Sequence, residues 1–198
     1  MAAHTNDADG ALNLPEGAQF NDIRRVVMVA CGTAFYACQV AKYWFEQIAR
    51  MPVEIDIASE FRYRDPVLER DDLLIVVSQS GETADTLAAL RHVTGHVRRT
   101  LAVVNVPTSS IAREADVVMP ILAGPEIGVA STKAFTAQLL SLLLLAAKAG
   151  LDRGKMNAND LNALMSEIRA VPGLMSQALD RAQDYARVAE KLAESDDV

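Results

Sequence analysis

The stretch Leu73-Leu74-Ile75-Val76-Val77-Ser78-Gln79-Ser80-Gly81-Glu82-Thr83 decides the fold. Leu73 to Val77 is apolar without alternation, the pattern of a parallel strand covered on both faces. Ala84-Asp85-Thr86-Leu87-Ala88-Ala89-Leu90 then resumes at helical spacing, which makes the turn between them the functional end of the unit. Ser80 is expected as the helix N-cap, and Gly81 as the point where a ligand approaches the backbone. The first N–H groups of a helix have no intrahelical partners, so an anion fits there. Ser78, Gln79, Ser80 and Thr83 add side-chain donors suited to the oxygens of a phosphate monoester. A nucleophilic serine is disfavoured, because the Gly-x-Ser-x-Gly elbow is missing and His4, His92 and His96 offer no evident base.

Working outward, the same pattern recurs. Val26-Val27-Met28-Val29-Ala30 is an apolar strand ended by Cys31-Gly32-Thr33-Ala34, with a helix over Phe35 to Arg50. Val53 to Ile57 alternates as a strand near a sheet edge does, and Ser59 to Arg64 reads as a short surface helix or a partner contact. Thr100 to Val106 is another buried strand, after which Ser109 or Ser110 caps a short helix. Asp116 to Ile121 is the last strand, with Pro120 at its end or at an edge. Ser131-Thr132-Lys133 opens a very apolar helix, Ala134 to Ala149, capped by Gly150; Lys133, Gln138 and Ser141 interrupt it, which suits a core helix rather than a membrane span. Two polar amphipathic helices follow, separated at Val171-Pro172-Gly173.

Five strands alternating with helices give an α/β fold, a doubly wound five-stranded parallel sheet of the flavodoxin-like kind with C-terminal helices. Ligands gather at the carboxyl ends of such strands, where Cys31 to Ala34, Ser78 to Thr83 and Val129 to Lys133 would meet. The chain has 198 residues, of which 51% are apolar, enough for one sizeable core. Its net charge of -7 disfavours nucleic acid, so an anionic ligand must be held by local N–H and hydroxyl groups. Cys31 and Cys38 are expected as buried reduced thiols, and no metal or cofactor site is expected. His92 and His96 are four apart, but Gly95 interrupts their helix and no third ligand is near. Glu82 suits the dipole of the first helical turn and is expected to face away from a bound phosphate. The first 22 residues have neither periodicity nor a signal-peptide core, so a flexible arm and a cytoplasmic compartment are expected.

Four stretches carry a family resemblance. Ala30-Cys31-Gly32-Thr33, Ala58 to Arg64, Ser78 to Thr86 and Glu126 to Thr136 occur in the order found in the first sugar-isomerase (SIS) domain of the glucosamine-6-phosphate synthases, the glutamine:fructose-6-phosphate amidotransferases. The resemblance covers Ile23 to about Gly150. It implies that Ser78, Gln79, Ser80 and Thr83 hold the phosphate of fructose 6-phosphate or glucosamine 6-phosphate, while Thr33, the Val129 backbone and Ser131 touch the sugar. Ala34 stands where some members have serine. In that family the ammonia source is a glutaminase domain, and the proton-transferring groups belong to a second SIS domain and a C-terminal tail. The resemblance therefore implies no catalytic residue within this chain, no turnover by the chain alone, and a division into an arm (1–22), a SIS domain (23–150) and a helical arm (151–198). It also implies a homodimer, for which Ser59 to Arg64 and the apolar helix after Ser131 would be packing surfaces. A non-catalytic sugar-phosphate sensor is the alternative role for such a domain.

Overall fold

The apolar runs become five parallel strands: β1 (Arg25–Ala30), β2 (Val53–Ile57), β3 (Asp72–Ser78), β4 (Arg99–Val104) and β5 (Val117–Pro120). The computed structural model describes residues 4, 12–126 and 131–195. The strand order is β2-β1-β3-β4-β5, so the short alternating β2 and the proline-ended β5 are the edges, and β1, β3 and β4, apolar between their polar ends, are interior. The chain leaves β1 towards one edge and β3 towards the other. Their carboxyl ends therefore form the switch point at which a doubly wound sheet opens a crevice.

Alternate residues of each strand serve two separate cores. Val26, Met28, Ala30, Leu73, Ile75, Val77, Leu101 and Val103 pack with helices α1 (Gly32–Ile48) and α5 (Lys133–Asp152). Val27, Val29, Leu74, Val76, Ala102 and Val104 pack on the opposite face with α2 (Ala58–Arg64), α3 (Ala84–Val93) and α4 (Ser110–Glu114). Helix α5 is apolar and long enough to cross a membrane by length and composition. Of its buried residues, Ala134, Leu142, Leu145, Ala146 and Ala149 belong to the first of these cores.

The structure moves several boundaries. Helix α1 begins at Gly32, three residues before Phe35. Gly150 lies inside α5 rather than capping it: a Cβ there would meet Ile48 Cγ2 at 2.9 Å and Ile48 O at 3.2 Å, so this glycine lets α1 and α5 approach closely. The helix is closed by Lys155 N–H donating to Gly150 O and by Gly154 in the left-handed region at φ 62°. Phe20 and Ala18, which the sequence places in the arm, lie in the first core, and Phe20 N–H donates to Asp152 Oδ2 at 2.9 Å. Arg99 also holds this segment, donating to Gly17 O and Asp22.

The chain divides into two units, Met1–Asn157 and Ala158–Val198. The second contains α6 (Ala158–Leu179) and α7 (Ala182–Leu192). Helix α6 runs unbroken through Pro172, and the interruption expected at 171–173 falls instead at Asp180 and Arg181. Proline at this position removes one N–H from the ladder and leaves the rest of the helix intact.

At the rim opposite the crevice, β1 and β3 are joined by charge. Asp72 is fully buried and accepts from Arg25 Nε at 3.0 Å, from Arg25 Nη2 and from Glu69 N–H at 2.8 Å. Arg25 also donates to Glu54 Oε2 at 3.0 Å, and its hydrogen bond to Asp72 raises the guanidinium pKa above its usual value. Removing one partner of such a pair strands the other, so Asp72→Ala should lower the unfolding free energy by about 2 to 4 kcal/mol in a urea titration. A change below 0.5 kcal/mol would mean that solvent replaces the carboxylate without loss.

Candidate functional site

A cavity of about 470 Å³ opens at the carboxyl ends of β1 and β3. Thr33, Ser78, Gln79, Ser80, Thr83 and Ser131 all line it, so six of the seven residues picked out in the sequence come together; Val129 lies outside the described residues. Cys31, Gly32, Ala34, Val77, Glu126 and Gln138 complete the wall. Three long helices begin at this wall. The first residues of α1 are Gly32 to Ala34, Thr83 is the N-cap of α3, and Ser131 immediately precedes Thr132, the N-cap of α5. None of the three N-caps makes a side-chain capping bond. The wall thus combines helix-end amides and hydroxyls, and no basic side chain is among its described residues.

The turn after β3 is organised from within. Ser78 is buried, and its Oγ accepts from Gly81 N–H and pairs with Thr83 Oγ1, both at 3.0 Å. Ser80 Oγ accepts from Glu82 N–H at 3.1 Å. Ser80 is therefore not the N-cap. Gly81 adopts φ 68° between it and the helix, and extended backbone at Thr83 then starts α3 at Ala84.

Gly81 also has a different purpose from the one expected. A Cβ at that position would lie 1.9 Å from Ser109 Oγ and 2.5 Å from Ser109 Cβ, so the glycine admits α4 and not a ligand. Ser109 is the N-cap of α4 and accepts from Ala112 N–H, while Ile111 N–H donates to Gly81 O at 3.0 Å. Glu82 turns the same way. Its Oε1 accepts from Ser110 N–H at 2.7 Å, which holds its carboxyl below the usual carboxylate range, and it takes no part in the cavity wall. It faces away from the cavity, as expected.

The carboxylate that does line the cavity is Glu126, which the sequence reading did not single out. Its Oε1 accepts from Thr132 N–H at 3.0 Å and its Oε2 from Ser131 Oγ at 3.2 Å. The Thr132 bond is the largest influence lowering its pKa. Asn105, just beyond β4, fixes the approach to it: its side chain donates to Gly124 O at 2.8 Å and accepts from Ala123 N–H at 2.9 Å. Gln138 is the other unforeseen wall residue. Its signal in the sequence is its place on the buried stripe of α5, four residues after Ala134 and four before Leu142.

The thiols differ from expectation in one respect. Cys38 is buried, and burial pushes its pKa up to about 12, so it stays protonated. Cys31 is only half-buried and lines the cavity. His92 lies near the end of α3, 3.6 Å from Asp65, beside His96 in a separate pocket with Arg70.

Known proteins share this sequence pattern and this fold. The SIS domain family model matches residues 19–148. An isomerizing glutamine–fructose-6-phosphate aminotransferase of Bradyrhizobium diazoefficiens is 52% identical over 200 aligned residues, covering all of this chain and 33% of the relative. The Zymomonas mobilis protein of the same name is 46% identical over 199 residues, with the same coverage. Among solved structures, the C-terminal domain of glucosamine-fructose-6-phosphate aminotransferase from Francisella tularensis superposes with a TM-score of 0.86 at 37% identity, covering 89% of this chain and 50% of that one. The chain thus spans about a third of the length of the curated relatives it matches.

Two predictions test the local geometry. Gly81→Ala combines a left-handed backbone with a collision, and should cost about 2 to 5 kcal/mol of stability. Ser109→Gly removes both colliding atoms, so the double variant should be more stable than the sum of the singles requires; strict additivity in denaturant melts would show that Ser109 is not the obstacle. The second concerns Glu126, whose folded pKa is depressed by the Thr132 amide. The bond is therefore present above the ordinary carboxylate range and is lost as pH falls through the lowered folded value. The Thr132 amide proton shift should titrate with a midpoint below the ordinary glutamate value and lose that inflection in Glu126→Gln. A midpoint above that value would contradict the bond.

Proposed function

The chain belongs to the SIS domain family, and from that premise we propose that it binds the phosphate and carbon chain of a ketohexose phosphate, fructose 6-phosphate, as one module of an isomerising aminotransferase that makes glucosamine 6-phosphate. The supporting observation is the convergence of three helix N-termini with Ser78, Gln79, Ser80 and Thr83 on one cavity at the switch point. The phosphate sits at the turn after β3. The Ser78–Thr83 pair has two hydroxyl protons and uses one between its own oxygens, which leaves one for a phosphate oxygen. Glu126 keeps the dianion from the other end of the cavity by like charge, and the sugar lies there against Thr33, Ser131 and the Val129 backbone.

The chain's role on this reading is positioning. Holding a phosphate remote from the reacting carbons converts binding energy into orientation. Glu82 is engaged with α4, and His92 is about two turns along α3 from the cavity, so the groups that open the ring and move the proton between C1 and C2 come from elsewhere in the longer protein. The length of the relatives leaves room for a second SIS domain and a glutaminase domain, with the whole acting as a homodimer in the cytoplasm.

Isothermal titration of the 198-residue chain with fructose 6-phosphate should give saturable binding in the millimolar range. Ser80→Ala should weaken it by about 1.5 to 3 kcal/mol, the worth of a hydrogen bond to a charged group. Absence of heat from folded protein at tens of millimolar ligand would overturn the proposal, and an unaltered affinity in the variant would move the phosphate away from Ser80.

A further inference from the structure

We infer that Gln138 selects the ligand's carbon chain: its side-chain oxygen accepts a hydrogen bond from a sugar hydroxyl at the end of the cavity remote from the phosphate. This rests on the phosphosugar reading and assigns it a specificity residue. The observation is an unmet acceptor. Gln138 is 1% exposed and lines the cavity, and its Oε1 is closed to solvent without a hydrogen-bond partner among the described residues, so a ligand meets it when the side chain turns towards the cavity. A buried acceptor left unpaired is destabilising, and an apolar residue of similar shape at this point of the α5 stripe would avoid the cost. Its place in an otherwise apolar and small-residue stripe points to a partner that arrives with the ligand.

The chemistry of that partner follows from the acceptor. An amide oxygen needs a donor, and a phosphate monoester near neutral pH offers almost none, because it is largely dianionic. The phosphate is also directed elsewhere. Helices α1 and α5 lie on one face of the sheet and α3 on the other, so Gln138 and the Ser78–Thr83 turn approach the cavity from opposite faces. Glu126, on the way to α5, adds a second acceptor that repels phosphate and suits hydroxyls. The Ser78–Thr83 turn thus presents donors, and Gln138 and Glu126 add acceptors on the α5 side, which matches a molecule with a phosphate at one end and hydroxyls along the rest.

The test compares two ligands on the full chain: fructose 6-phosphate, and ethyl phosphate, which carries the same charged group without hydroxyls. Gln138→Met keeps the length and flexibility of the side chain and removes the acceptor. The variant should bind fructose 6-phosphate about tenfold more weakly while its affinity for ethyl phosphate is unchanged, the loss of one hydrogen bond being expressed only by the ligand that can make it. Its melting temperature should be equal to or above that of the parent, because an unpaired buried acceptor has gone. Gln138→Glu, which retains an acceptor, should keep more of the preference for fructose 6-phosphate than the methionine variant does. Equal affinity of parent and Gln138→Met for fructose 6-phosphate would overturn the inference and leave the phosphosugar reading standing. Parallel loss for both ligands, with a lowered melting temperature, would also overturn it by assigning Gln138 a purely structural role. If the parent bound ethyl phosphate as tightly as fructose 6-phosphate, the phosphosugar reading itself would fail, and this inference with it.

Discussion

The approach of α4 to the turn after β3 is the contact on which the site depends. The missing Cβ at Gly81 lets Ser109 come close enough for Ile111 N–H to reach Gly81 O and for Ser110 N–H to reach Glu82. These bonds hold the turn from outside, while Ser78 Oγ holds it from inside through Gly81 N–H. With both sides fixed, Gln79 and Ser80 have little freedom to relax, and the N-terminus of α3 is presented open to the cavity. A preorganised cradle of this kind avoids the ordering cost that a mobile loop would bear when a ligand arrives.

That rigidity suits the electrostatic problem. The chain has a formal charge of -7 and the described cavity wall contains a carboxylate and no cation. Long-range attraction cannot bring an anion here, so on the proposed reading binding comes from dipoles and hydrogen bonds that act over a few ångströms. Such groups work only when their directions are fixed, because a misaimed N–H is worth much less than a misplaced point charge. The charged networks are kept elsewhere: Arg25 with Asp72 and Glu54 at the opposite rim, and Arg91 with Glu114 on the outer surface of α3 and α4.

What the sequence made legible was whatever is local. Unalternating apolar runs identified the interior strands, alternation placed β2 at an edge, and small hydroxyl residues after β3 located the cavity. What it hid depends on residues distant in the chain. The reason for Gly81 lies at Ser109 and that for Gly150 lies at Ile48, and neither partner is detectable from local spacing. The same holds for the N-cap of α3: Ser80 has the right residue type, but the positive φ of Gly81 delays the helix to Ala84. Phe20 reads as part of an arm because it has no periodic neighbours, although a single aromatic residue fills the space beside Phe45 at a ring distance of 5.8 Å.

Glu126 and Gln138 make the most useful case, because both were visible as residue types and neither was legible as part of the wall. Glu126 became significant once its carboxylate was found bonded to Ser131 and Thr132, which fixes it at the mouth of α5. Gln138 interrupts an apolar helix, and an interruption alone fits equally well with a solvated face. The distinction comes from α1 and α5 packing together, which buries the amide and leaves one of its atoms without a partner. With the donors of the β3 turn and the N-terminus of α5, these two acceptors give the wall both kinds of hydrogen-bonding group. On the proposed reading, a symmetric anion such as inorganic phosphate meets the donors and leaves the acceptors unpaired, so the arrangement favours an elongated, chemically asymmetric ligand over the phosphate group by itself.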